Sequence, residues 1–205
     1  MISFTLLLTK IKKDMADDIH SSIFKKLLAI QSINDDVISD ILSKSKTLNV
    51  CKKTYLLLPG DISKHAYFIK SGALRSFYID SDGNEKVSWI LIENDIVVSV
   101  NSFFTGNPSV EYLEAVEDCE LLQLSKSHLE EIYTKHPQFN YIGRKLIETY
   151  YVRSEEQAIS LRTLSAKERY EHFLSHEGYL LNRIPLGYIA SYLGMSQETL
   201  SRVRK

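Results

Sequence analysis

Between residues 48 and 124 the chain is cut into short apolar runs by turn residues at nearly regular intervals, and this limits the fold more than any other feature. The runs cover 48–58, 66–70, 73–79, 86–92, 96–100, 112–116 and 120–124. They are divided by Pro59-Gly60-Asp61, Ser71-Gly72, Asp82-Gly83, Glu93-Asn94-Asp95 and Gly106-Asn107-Pro108. Evenly spaced strands of this length need a closed or double-layered sheet to cover both edges and faces, which predicts a β-sandwich, roll or barrel. On either side the apolar period is helical. Ile23, Leu27, Ile30, Val37, Ile38, Ile41 and Leu42 recur at helix spacing, with a break at Ser32-Ile33-Asn34-Asp35 where Ser32 or Asn34 would cap the second piece.

After Leu124 the strand pattern stops. Ser125 is a good N-cap for a helix over 126–134, and Pro137 suits the first turn of a longer one reaching about Leu161. A 25-residue helix is about 37 Å long and needs a partner along much of it. Phe139, Ile142 and Leu146 continue into Thr149 and Arg153 with Ile147 and Tyr150 alongside, a seam for self-association or for packing on the chain's own sheet; self-association is preferred. From Ser165 another helix carries Tyr170, Phe173 and Leu174 on one stripe. The fold class is therefore α+β: an N-terminal β-roll of double-stranded, jelly-roll type with flanking helices, a long helix, and a C-terminal helical unit.

Catalytic and metal chemistry lack the residues they require. There are two cysteines, Cys51 and Cys119, in no CxxC spacing, too few for a four-thiolate iron–sulfur or zinc site and read as small core residues in a reducing compartment. Of the six histidines only His172 and His176 have helix-ligand spacing, without the glutamate of a zinc-protease motif. No phosphate-cradling glycine loop occurs. The expectation is no enzyme, no metal and no cofactor. Met1 to Thr9 is apolar and precedes Lys10, Lys12 and Lys13, the reverse of a secretory signal, and Met15 resembles a second start, so 1–14 is read as lying outside the fold of a cytoplasmic protein without a membrane span. The net charge is −1, yet 161–205 holds seven Lys/Arg against four Asp/Glu, leaving 18 against 22 before it. Affinity for a polyanion belongs at the C-terminal end.

That end carries the most specific motif. Ile184-Pro185-Leu186-Gly187-Tyr188-Ile189-Ala190-Ser191-Tyr192-Leu193-Gly194-Met195-Ser196-Gln197-Glu198-Thr199-Leu200-Ser201-Arg202-Val203 has helix-turn-helix spacing. Ala190 is small where helices cross, Gly194 suits a left-handed turn, Ser196 can cap the second helix, and Ile189, Leu193, Met195, Leu200 and Val203 form the buried side. Gln197, Glu198, Ser201 and Arg202 fall at i, i+1, i+4 and i+5, one exposed face near the helix start. Arg can donate twice to guanine, Glu can accept from cytosine and Gln can pair with adenine. Ser196 and Thr199 are candidates for holding phosphate. The plainer alternative is a solvated Glu198–Arg202 ion pair, which does not exclude base reading.

A β-roll, a long helix and a terminal helix-turn-helix in this order resemble the Crp/Fnr family of bacterial transcription regulators, over about residues 19–205. The stretch Ala190 to Arg202 looks like that family's recognition signature, and Leu58-Pro59-Gly60-Asp61, Tyr67-Phe68-Ile69-Lys70-Ser71-Gly72 and the Asp82-Gly83 hairpin are similar to its turns. The resemblance implies an extension at 1–18, a cyclic-nucleotide-binding-like sensor at 19–136, a dimerisation helix at 137–161 and a DNA-binding unit at 162–205. The implied partners are double-stranded DNA, a second copy of the chain, RNA polymerase and an effector of unknown identity. Ser196, Gln197, Glu198, Thr199, Ser201, Arg202, Arg204 and Lys205 would contact DNA. In the family's phosphate cassette a Gly-Glu pair holds ribose and an Arg followed by Ser or Thr holds the cyclic phosphate; here Val98-Ser99 and Ser109-Val110 stand in the matching places. Without that Arg a buried phosphate lacks its counter-charge, so cyclic AMP is not the expected effector. Arg75, Ser99, Asn101, Ser109 and Ser154 are the candidate pocket residues, Arg75 as substitute cation. Lys205 comes before any wing hairpin, so backbone contacts are expected from Arg202, Arg204 and Lys205.

Overall fold

The computed structural model describes residues 19–205, with side chains from Ile23 onward; the expected extension at 1–18 lies outside them. Two helices lead, α1 (Ile19–Ile30) and α2 (Asp35–Lys44), and the second is capped by Asn34, whose side chain accepts from the Val37 N–H. Eight strands follow among the described residues: β1 (Ser45–Val50), β2 (Tyr55–Leu57), β3 (His65–Ser71), β4 (Leu74–Ile79), β5 (Glu85–Leu91), β6 (Ile96–Val97), β7 (Tyr112–Ala115) and β8 (Cys119–Ser125). They form two four-stranded sheets, ordered β1-β8-β3-β6 and β2-β7-β4-β5, with every pair antiparallel. This is the expected roll. Val50, Tyr67, Ile69, Leu74, Leu91, Leu113 and Leu121 fill the space between the sheets.

Two sequence expectations are corrected. The run 48–58 is two strands, because Lys53 takes φ 69 and its N–H reaches the Ala115 carbonyl at 2.7 Å, turning the chain from one sheet into the other. The run 96–100 stops after Val97, and a short helix, α3 (Val100–Thr105), begins beyond it. Its Phe103 N–H bonds the Ser99 carbonyl at 2.7 Å, and Gly106, at φ 78, ends it. The glycine that looked like a hairpin turn is a helix C-cap.

Gly72 shows why one turn glycine is obligatory. At φ 94 it lies in the left-handed region, and an added Cβ would sit 2.5 Å from the Asp118 carbonyl oxygen and 2.9 Å from Cys119 Cα. Neither backbone atom can move without breaking β8 pairing. Gly72→Ala is expected to cost about 2–5 kcal/mol, readable as a lowered urea midpoint at unchanged slope; a loss under about 0.5 kcal/mol would contradict this packing.

Behind the roll, Ser125 accepts from the His128 N–H and caps α4 (Lys126–Lys135), and α5 (Phe139–Thr163) runs for 25 residues. Phe139 and Ile142 are buried with Phe24, Leu27, Val37, Ile41 and Ile132, and Leu146 packs on the same cluster. The seam expected for self-association is thus occupied inside the subunit along its first half. A different stripe, Ile147, Tyr151, Ser154, Ala158 and Leu161 at alternating spacings of four and three, is open except at the half-buried Ala158, with Ile147 54% and Tyr151 65% exposed.

A Ser165–Glu168 capping box starts α6 (Ala166–Glu177), and a short 3₁₀ turn (Gly178–Asn182) leads to α7 (Leu186–Tyr192) and α8 (Gln197–Val203). These helices do not stand apart from the roll. Tyr170, Phe173, Leu180, Ile184, Ile189, Ala190, Leu193 and Leu200 share one core with Phe77, Val87 and Ile90 on the outer face of β4 and β5. An apolar interface of this kind makes the two units move as one body. No helix among the described residues is long and apolar enough to cross a membrane.

Candidate functional site

At the C-terminal end, Gly194 takes φ 65 and the chain reverses between α7 and α8. The Arg169 guanidinium holds that reversal against the end of α5: it donates to the carbonyls of Leu164 at 2.6 Å, Leu193 at 2.7 Å and Gly194 at 3.3 Å. Ser196 caps α8 by accepting from the Thr199 N–H at 3.2 Å, which commits the hydroxyl that the sequence offered to phosphate. Leu200 is buried and fixes the rotation of the helix. Gln197, Glu198, Ser201, Arg202, Arg204 and Lys205 are exposed, and Thr199 is half-buried. The Glu198–Arg202 ion pair weighed as the plainer alternative does not form: Arg202 Nη2 donates to Thr199 Oγ1 at 3.0 Å instead. The Glu198 carboxyl is held below its usual range first by its own backbone N–H at the helix start, then by the Ser196 hydroxyl. The face at i, i+1, i+4 and i+5 therefore carries acceptors and a cation free of any ion pair within the helix.

The sensor candidates separate into two groups. Ser99 and Ser109 come together, their hydroxyls 3.2 Å apart and both residues 4% exposed. Asn101 does not join them; it is exposed on α3, where its side-chain oxygen accepts from the Thr105 hydroxyl at 3.3 Å. Ser154 lies on the open stripe of α5 and not over the roll. Arg75 is the main correction. The alternation of β4 turns Leu74 and Ser76 inward and Arg75 and Phe77 outward, so Arg75 faces the helical unit and cannot serve the interior. It is 2% exposed, stacked 4.0 Å from the Phe77 ring and 3.7 Å from the Tyr188 ring of α7. Its Nε donates to Glu114 at 2.7 Å and its Nη1 pairs with Glu85 at 2.5 Å. Burial pushes its pKa down, but those two carboxylates outweigh it and the net shift is upward.

Two further contacts join the same surfaces. The Ser191 hydroxyl accepts from the Val87 N–H at 2.9 Å and donates to the Glu85 carbonyl at 3.0 Å. Arg183 spans Glu93 and Glu117 at 2.8 and 2.6 Å.

The residue that sequence reasoning missed is Glu111. It is 8% exposed just before β7, where its backbone N–H donates to the Ser109 hydroxyl at 3.1 Å. Burial raises the pKa of its carboxyl, and the hydroxyls of Ser99, Ser76 and Tyr78 partly offset that. Ser76 in turn meets Ser88 at 2.7 Å, and Gln157 of α5 donates to the Ser88 carbonyl at 2.9 Å. Its position one alternation before Leu113, which faces the core, was the available signal. This donor set does not fit a cyclic phosphate: a carboxylate and neutral hydroxyls stand where an anion would need a cation.

Comparison with known proteins agrees with this architecture. A family model described as "Cyclic nucleotide-binding domain" matches residues 47–136. The chain is 25% identical over 179 residues to the "Fumarate and nitrate reduction regulatory protein" of Vibrio cholerae, covering 82% of this chain and 70% of that one. It is 25% identical over 187 residues to the "Transcriptional activator protein FnrA" of Stutzerimonas stutzeri, covering 86% and 75%. Both relatives bear the names of regulators, the class to which the resemblance to the Crp/Fnr family pointed. Among solved structures, FixK2 from Bradyrhizobium japonicum superposes with a TM-score of 0.65 at 22% identity, over 78% of this chain and 82% of that one. The regulator CLP from Xanthomonas campestris does so with 0.67 at 20%, over 83% and 89%. Both share the fold. Two features of this chain stand out beside them: the buried acid Glu111 just before β7, and Arg75 stacked between β4 and α7.

Proposed function

We propose that this chain is a regulator of Crp/Fnr type, a homodimer that reads duplex DNA through α8, and that its sensor answers to an effector other than cyclic AMP. The observation that carries the first part is the exposed quartet Gln197, Glu198, Ser201 and Arg202 on a helix whose opposite side is buried through Leu200. A helix fixed in rotation presents the same atoms at every encounter, which is what direct readout in the major groove requires. Arg204 and Lys205 extend the positive charge beyond the helix and supply contacts to the phosphates. The relatives named above bear the names of regulators.

The second part rests on α5. Its open stripe of Ile147, Tyr151, Ser154, Ala158 and Leu161 has the heptad spacing of a coiled coil, and two copies packed along it would place two α8 helices on one side of the dimer. Such a pair reads half-sites about one DNA turn, ~34 Å, apart, so the bound sequence is nearly palindromic.

The test is selection of binding sites from a random duplex library, followed by comparison of wild type with Arg202→Ala. On the selected site the substitution is expected to weaken binding about 5- to 150-fold, the equivalent of about 1–3 kcal/mol for one bidentate base contact. On random DNA at the same salt the loss should be only a few-fold, because that binding is a sum over phosphates. Equal losses on both would remove base reading by Arg202.

A further inference from the structure

The reversal between α7 and α8 is fastened to the end of the long helix α5 at two points. The first is Arg169, near the start of α6. Its guanidinium donates to Leu164, where α5 ends, to Leu193, where α7 ends, and to Gly194 in the reversal, and its hydrogen bonds among the described residues all go to these carbonyls. Helix ends leave such carbonyls without intrahelical partners. A planar fork of N–H donors spans them in a way that a compact ammonium cannot. The second point is Leu161. A Cβ built on Gly194 would lie 2.6 Å from Leu161 Cδ2, so the backbone of the reversal rests on the last residue of the open stripe.

The remaining attachments lie elsewhere. Tyr188 and Ser191 of α7, and Arg183 before it, dock on the roll ahead of the reversal. The link from α5 to α6 is Leu164 and Ser165 alone, both with extended backbone. A short extended link between two helices is an elbow, and an elbow without a brace pivots. Leu200 packs α8 into the core it shares with Tyr170 and Phe173 of α6, so α8 moves with α6.

We propose that Arg169 is a positioning residue for DNA recognition: it braces that elbow, fixes the angle between α5 and α8, and so sets the one separation of half-sites that two paired chains read. The side chains of α8 choose the bases, and the brace decides how far apart two such choices fall. This role rests on the reading of DNA through α8 and on pairing through α5. The gain from linking two binding units is lost when geometry forbids both from engaging. One inserted base pair turns the second half-site by about 35° and moves it by about 3.4 Å. A braced pair cannot follow that change, whereas a pivoting pair can.

The experiment has one arm without DNA. Spin labels on Glu156→Cys in α5 and Ser201→Cys in α8, in a Cys51→Ser chain diluted with unlabelled copies, measure the spread of distances between the two helices; Cys119 is buried and stays unlabelled. The chain with Arg169 is expected to give a narrow distribution, and Arg169→Lys, which keeps the charge and loses the fork, a broad one. In the second arm the selected duplex is compared with versions carrying one base pair more or fewer between the half-sites, and with a single half-site. With Arg169 the altered spacings should bind at least about tenfold more weakly; with Arg169→Lys the difference should shrink to within about threefold, while binding to the single half-site is unchanged. A residue needed only for folding would lower all of these together, and the unfolding midpoint with them. If Arg169→Lys does not unfold cooperatively, Leu161→Ala, which removes the other support of the reversal, replaces it in the first arm. The proposal is overturned if the distance distribution stays narrow, if the spacing preference is kept, or if binding falls equally at every spacing and on the single half-site. Should the wild-type chain select no site, the reading of DNA fails, and the first arm alone decides whether Arg169 holds the angle.

Discussion

Arg75→Met is expected to remove about 3–5 kcal/mol of folding stability, a fall in the thermal midpoint on the order of 10 °C for a chain of this size. The reason is the group left behind. Glu114 has a side chain only 8% exposed, and its carboxylate takes two contacts from the guanidinium, 2.7 Å from Nε and 2.5 Å from Nη2. Without Arg75 that charge is buried and unpaired, whereas Glu85, 42% exposed, can turn to water. The rings of Phe77 and Tyr188 also lose the cation stacked between them, so the damage reaches both the sheet and α7. Equilibrium denaturation of Arg75→Met, Glu114→Gln and the double variant separates the contributions. The double variant should be more stable than Arg75→Met alone, because the orphaned charge is gone. A single Arg75→Met variant within about 1 kcal/mol of wild type would show that the pair contributes no more than an exposed one.

The second large effect concerns assembly. Ile147→Glu combined with Tyr151→Glu places four like charges along the proposed two-fold seam, two from each copy, at positions that are 54% and 65% exposed in the isolated chain. The substitution touches nothing in the subunit core, so the fold should persist while sedimentation shows monomer only. Affinity for a two-half-site DNA should then fall by about 10²- to 10⁴-fold, the gain that linking two binding units ordinarily confers. Wild-type chain that sediments as monomer at micromolar concentration would refute the seam directly.

Much of the local structure could be read before any coordinates. Asn34, Ser125, Ser165 and Ser196 all cap helices, and Gly194 takes the left-handed turn that the motif demands. The errors have a common origin. The 96–100 run has strand composition, but a backbone bond from Phe103 to Ser99 opens a helix there. The cysteines were read alike, yet Cys119 is buried, with its thiol pushed up to about 11 by that burial, and Cys51 is exposed. On α5 the apolar residues surround the helix in its first half, so period alone could not say which face meets α1, α2 and α4 and which meets another chain.

By itself, then, the order of residues decides where most of the helices start, and which four side chains share a face on α8, because caps, left-handed turns and helical spacing act over a few neighbours. It cannot decide the environment of Arg75 or Glu111. Arg75 is buried by Tyr188, 113 positions later, and Glu111 is only 8% exposed once the two sheets close over it. Whether a charge is solvated, paired or stranded depends on the elements that fold over it, and only the packed sheets and helices bring those elements together.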